Sequence, residues 1–361
     1  MKNLEKQTKE DLEQTANRCI RISELNVQPQ RASIKSAEQR PITVPQLKDL
    51  LQYIERHCCP EKWITTNTGR WATSDTPTPD MELQPEEVNL YDAVFWVLKP
   101  ATREQQCSYV ELVAGGAQDP SWFVSHWWGE PVSDFVRCLS QHLNDRRLPP
   151  DTPYWVCAYA NNQWELSGDV ASDPAVSSFN RAMGKARGTV TILDRNATTY
   201  TRVWCSYEIF ISLSRPPSRD HQYLYDVYTV GDDNTAVGLT DGCAACDAED
   251  WEGGALQRKG HRERCFPLDR AKRALEADVT RAEASKAKDR THILNAIANR
   301  DVSDLDKDVY AWHPRYDVVN RMLRGRFALG CWRMAVEQGS PEVERLSAAL
   351  QESGLKVVQL Y

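Results

Sequence analysis

The sequence predicts an open α/β fold: a parallel sheet covered by helices, with further helical segments before and after it. Three observations predict it. Between Ser121 and Asp269 short β-prone runs, apolar on both faces, alternate with longer stretches of helical period, the pattern of strands buried between helical layers. At about 150 residues per domain, a chain of 361 is long enough for a full core with large extensions. Its 41% hydrophobic content, with 12 Trp and 13 Tyr, supplies many large side chains to bury.

Taken in order, residues 1–40 are polar, with short helical patches at Leu12, Ala16 and Ile20, and read as a partly ordered arm. From Pro41 the stripe Val44, Leu47, Leu50, Leu51 and Ile54 predicts one amphipathic helix ending near His57. A Thr/Pro/Asp-rich connector spans 65–85. Val88 to Leu98 and Tyr109 to Val113 read as helical pieces on either side of Lys99-Pro100, where the proline disfavours helix at Lys99. Residues 41–120 thus form a helical N-terminal extension.

The α/β segment covers 121–270. WFVSHWW (122–128) is its first strand, and Val132, Phe135, Val136, Leu139 and Leu143 mark the helix after it. Then come a strand in YWVCAYA (154–160), a polar loop, a helix from Pro174 to Ala186, and the strand TVTILD (189–194). The helix RVWCSYEIFISLS (202–214), the strand YLYDVYTV (223–230), a long Gly/Asp/Cys loop and a last short run CFPLD (265–269) complete it. Residues 271–361 read as a C-terminal helical layer: Leu275 to Ile297, Val318 to Val336 and Val343 to Leu350.

Composition narrows the function classes. Forty-four basic against 51 acidic side chains leave a net charge of −7, the wrong sign for coating nucleic acid or anionic lipid. No window approaches the roughly 18 apolar residues of a membrane span, and the N-terminus lacks an apolar signal core, so a soluble, cytoplasmic chain is expected. Eleven scattered Cys fit a reducing compartment better than a disulfide framework. Neither a dinucleotide fingerprint, a P-loop nor a Gly-x-Ser-x-Gly elbow is present.

In an open parallel sheet ligands bind beyond the carboxyl ends of the strands. There the first strand offers Ser125, His126 and Trp127 followed by Gly129, and the third ends in Asp194. In the next helix Trp204 and Glu208 stand four residues apart, placing an indole and a carboxylate on one side, one turn apart. A flat surface beside an anion suits a nucleotide.

Read together, Phe123-Val124-Ser125-His126 leading into a helix, and Tyr200, Trp204, Cys205 and Glu208 in GTVTILDRNATTYTRVWCSYEIFISL, resemble the Toll/interleukin-1 receptor (TIR) domain. The flanks, including NLYDAVFWVLKPAT, look like those of TIR-like segments in algal and protist proteins. The resemblance covers about 150 of the 361 residues and implies a flavodoxin-like sheet. It also implies cleavage of the nicotinamide-ribose bond of NAD, with Glu208 as the catalytic carboxylate. Trp204 would stack on a ring, and Ser125, His126, Trp127, Asp194, Tyr200 and Cys205 would line the substrate site. Nicotinamide leaves as a neutral base from a cationic pyridinium, so one carboxylate that stabilises oxocarbenium charge suffices without a general acid. The alternative is a non-catalytic TIR-like module that self-associates or docks related proteins.

Structural roles compete for the same residues. Trp204 and Cys205 at the head of an apolar helix suit a core, Asp194 suits a cap, and Glu208 among apolar neighbours needs a partner or a function. Cys243, Cys246, His261 and Cys265 have a spacing that would wrap one tetrahedral zinc. Against a metal stand their acidic loop and a resemblance that calls for none.

Overall fold

The computed structural model describes residues 24, 25, 27, 31–66, 81–166, 173–215, 222–248 and 254–354. The expected helical patches at Leu12, Ala16 and Ile20, and most of the 65–85 connector, lie outside them. The first long helix, α1 (Val44–His57), has the bounds its stripe predicts. Thr43 and Gln46 close a reciprocal capping box at its start, satisfying donors that the first turn leaves free.

The break expected at Lys99 does not occur. Leu90–Ala93 passes through a π-helical stretch, Val94–Leu98, into Lys99–Thr102. Lys99 N–H bonds back to the carbonyl of Val94, one residue further than in an α-helix. This wider turn accommodates Pro100, which has no N–H to give.

The sheet is built from β1 (Trp122–Ser125), β2 (Tyr154–Trp155), β3 (Gly188–Leu193), β4 (Leu224–Val230) and β5 (Ala236–Leu239). Their order, β2-β1-β3-β4-β5, is the flavodoxin-like one. The first four strands run parallel and are fully or almost fully buried. Between them run α2 (Val132–Arg146), α3 (Ser178–Lys185) and α4 (Val203–Ser214). The strand expected over 154–160 is only two residues long. Cys157–Ala160 turns into a short helix instead.

The fifth strand departs from expectation more sharply. It is antiparallel to β4 across a tight turn at Gly231 to Thr235, inside the stretch read as a long loop. CFPLD is not a strand: Phe266 is buried, and Pro267 caps the start of α6 (Leu268–Leu275), which follows α5 (Ala255–Glu263). The single helix expected from Leu275 to Ile297 is also divided. Between α6 and α7 (Ala287–Ile297) the chain leaves the helical path. Asp278 accepts from the N–H of Thr280, and Asn320 of α8 (Pro314–Glu337) accepts from that of Val279. Tertiary capture overrides local propensity here. The last helix is α9 (Val343–Ser353).

One buried cluster joins the N-terminal extension to α2 and one face of the sheet. A second joins the other face and α4 to the C-terminal helices. On the first side, Asp226 of β4 takes two hydrogen bonds from Arg146 and one contact from His142, whose other ring nitrogen meets Tyr154 Oη at 2.7 Å. This largely buried network ties α2 to β2 and β4. Among the described residues no helix is long and apolar enough to cross a membrane.

Candidate functional site

β1 ends at Ser125 and β3 at Leu193, neighbours in the middle of the sheet where the strand order reverses. Connections leave this point in opposite directions and open a crevice. α4 runs beside it, held by its own apolar character: Val203, Cys205, Tyr207 and Ile209 are all buried. Its register turns Trp204 and Glu208 to the same side, and both line a cavity of about 520 Å3. That volume falls in the range of small-molecule sites.

Glu208 sits at the cavity wall and is only 4% exposed. Ser125 Oγ, from the end of β1, donates to its Oε2 at 2.6 Å. Burial disfavours the charged carboxylate and pushes its pKa up to about 8, although the Ser125 hydrogen bond pulls the other way. In the empty site at neutral pH Glu208 is therefore mostly a neutral acid. Trp204 stacks on Phe179 at 5.0 Å with the rings 19° apart, and its indole N–H donates to Asp289 at 3.3 Å. These two contacts fix the plane of the indole.

The remaining expected residues separate into groups. His126, Trp127 and Cys205 line the cavity, whereas Ser125 acts through its hydroxyl on Glu208. Burial drives the His126 imidazole down to about 3, so it is uncharged, and pushes the Cys205 thiol well above its ordinary range, so it is no nucleophile. Asp194 and Tyr200 do not join them. Asp194 accepts from Asn196 N–H and Thr198 Oγ1 and caps its own loop, beside a separate cavity. Tyr200 is a core residue, packed edge-on against Phe327 of α8.

The sequence pointed to the opposite wall only at Trp128, beside Trp127 at the end of the first strand. Tyr91 comes from the N-terminal extension and Trp128 from the turn after β1, and Arg202, Glu283, Ser285, Asp289 and His292 complete the enclosure. Glu283 forms a parallel bridge with Arg202: Val203 N–H donates to its carbonyl, and its own N–H donates to Thr201. Arg202 also reaches Ser285 Oγ at 3.0 Å. The stretch just before α7 is thus stitched to the head of α4. Besides Trp128 in WFVSHWW, a local signal existed for Tyr91, in the aromatic run at residues 91–96.

The Cys/His motif is not gathered into a metal centre. Cys243 and Cys265 are exposed, Cys246 faces Asp145 and Asp247, and among the described residues no three His, Cys, Asp or Glu side chains are grouped to hold a metal ion. The ten cysteines in those residues are all free thiols. The chain matches no protein-family model, and no curated protein or solved structure is significantly similar to it.

Proposed function

We propose that this chain is a TIR-like NAD glycohydrolase that breaks the nicotinamide-ribose bond at the Glu208 cavity. One observation carries the reading: a buried carboxyl group opens into an aromatic-walled cavity at the carboxyl ends of β1 and β3. A module that served only to dock partners needs no such cavity beside Glu208.

The chemistry follows from the environment of that carboxyl. NAD and water give nicotinamide, ADP-ribose and one proton. As the C–N bond lengthens, the pyridinium keeps the bonding pair and becomes neutral, while positive charge moves to the ribose C1′ and ring oxygen. Glu208 as a carboxylate stabilises that charge, and the low local dielectric strengthens the interaction. The cationic pyridinium ring of the substrate itself favours ionisation of Glu208, so binding expels the carboxyl proton. Ser125 holds one carboxylate oxygen in place. Trp204, fixed by Phe179 and Asp289, presents an aromatic wall, and the Arg202 side of the cavity suits the anionic diphosphate. Water then attacks C1′ and releases its proton to solvent.

The free thiols fit a reducing, cytoplasmic setting. The test is chromatographic separation of nicotinamide from NAD, with purified protein at high concentration because TIR-like enzymes often work as assemblies. Release is expected from the native chain and is lost in Glu208→Ala. Equal release from both would overturn the assignment.

A further inference from the structure

We propose that a second cavity, on the far side of Trp127 from the first, is a binding site for a small organic cation, a molecule bearing a protonated amine or guanidinium. It encloses about 420 Å3 between the end of β1, the head of α2 and the loop after β3. Trp127 lines both cavities and forms the wall between them.

Three polar side chains of this cavity are buried without hydrogen-bond partners: both carboxyl oxygens of Glu130, Ser133 Oγ and the Trp127 indole nitrogen. Glu130 is 2% exposed. His126 Nδ1 lies 3.9 Å from its Oε1, beyond hydrogen-bond reach, and that imidazole is uncharged. Buried polar groups are nearly always paired, so three orphans in one wall mark a place where a partner is absent.

The surroundings say which partner. Glu86, Glu87, Asp134 and Asp194 line the same cavity as Glu130, against only Arg137 and Arg195. Arg137 and Asp134 neutralise each other at 2.7 Å, Asp194 is held by its own loop, and Arg195 donates to Asn234 at 2.9 Å, which leaves Glu86, Glu87 and Glu130. The excess is acidic and selects a positive ligand. A bare metal ion is disfavoured, since among the described residues no three ligating side chains converge. A cation with N–H donors can ionise and pair Glu130, while an oxygen next to its amine would accept from Trp127 and Ser133. The site is independent of the proposed NAD chemistry.

The experiment is isothermal titration of the full chain with agmatine, ethanolamine and octopamine, and separately with magnesium chloride. Saturable binding of at least one amine is expected, weakened tenfold or more in Glu130→Gln and unchanged in Glu208→Gln. Gln keeps the size of the side chain, and Trp127→Phe, which removes the indole donor and keeps an aromatic though smaller ring, provides a second variant if the first misfolds. Circular dichroism checks both folds. Absence of binding by all three amines, equal binding by wild type and both wall variants, or Glu130-dependent binding of magnesium alone would overturn the proposal.

Discussion

Replacing Glu208 by Gln should stabilise the protein in alkaline solution and leave it nearly unchanged in acid. The carboxyl is 4% exposed and its pKa is raised from 4.5 to about 8 by burial. The folded state then binds a proton that the unfolded chain has already lost, so stability falls as pH rises between these values. Below about pH 4 both states are protonated and nothing is lost. At about 1.4 kcal/mol per pH unit the cost is roughly 3 kcal/mol by pH 7 and approaches roughly 5 kcal/mol above pH 8. Gln carries no charge at any pH, and its carbonyl still accepts from Ser125. Urea denaturation of wild type and variant at about pH 5, 7 and 9 isolates this residue, because every other titrating group cancels in the difference. The variant's advantage should grow with pH and level off above about 8. A difference that stays flat, or grows toward acid, would refute the claim that Glu208 is held neutral by burial.

In the proposed NAD cleavage the same proton matters: kcat/KM should rise with pH and level off near 8, and Ser125→Ala should move that limb upward by about one unit, since a hydrogen bond to a charged group contributes about 1.5–3 kcal/mol. Trp204→Ala should raise KM about tenfold or more with a smaller change in kcat, in line with about 1–3 kcal/mol for a stacked base, as steady-state kinetics would show. Asp226→Asn should cost about 3–5 kcal/mol by leaving buried Arg146 without its partner. Burial works against the Asp226 carboxylate, but hydrogen bonds from His142 and Arg146 prevail and hold its pKa well below the usual range. Its stabilisation is therefore present at neutral pH and lost as pH falls below about 4, which acid denaturation of the pair would reveal. Gly129→Ala would bring a methyl group to within 2.2 Å of the Trp127 ring, so the indole must tilt, and tryptophan fluorescence and both cavities should change together.

Legibility in the sequence tracked how local the physics was. α1, α2, β3, α4 and β4 were readable because each carries its own periodicity or β-prone run, and the four-residue spacing of Trp204 and Glu208 did place them on one wall. β5 was hidden because Ala236–Leu239 is short and half-exposed at its start, although the Gly-Asp-Asp-Asn-Thr turn before it was a hairpin signal. The run at 265–269 misled because one buried Phe next to a proline looks like a strand end as much as a helix entry. Asp194 lines a different cavity from Glu208 because strand ends on the same sheet edge can open into different crevices. Ser285, Asp289 and His292 could not be found at all: nothing near them in the chain records that Glu283 would bond across to Thr201 and Val203.

That bond has a consequence for modularity. The segment with the familiar signature ends near residue 270, and a gene fragment cut there would look like a tidy cassette. It would lack one bank of the crevice, leave the Trp204 indole without its acceptor, and strip the helices from the outer face of α4. Grafted onto another protein, such a cassette would expose the apolar face that α4 buries against those helices.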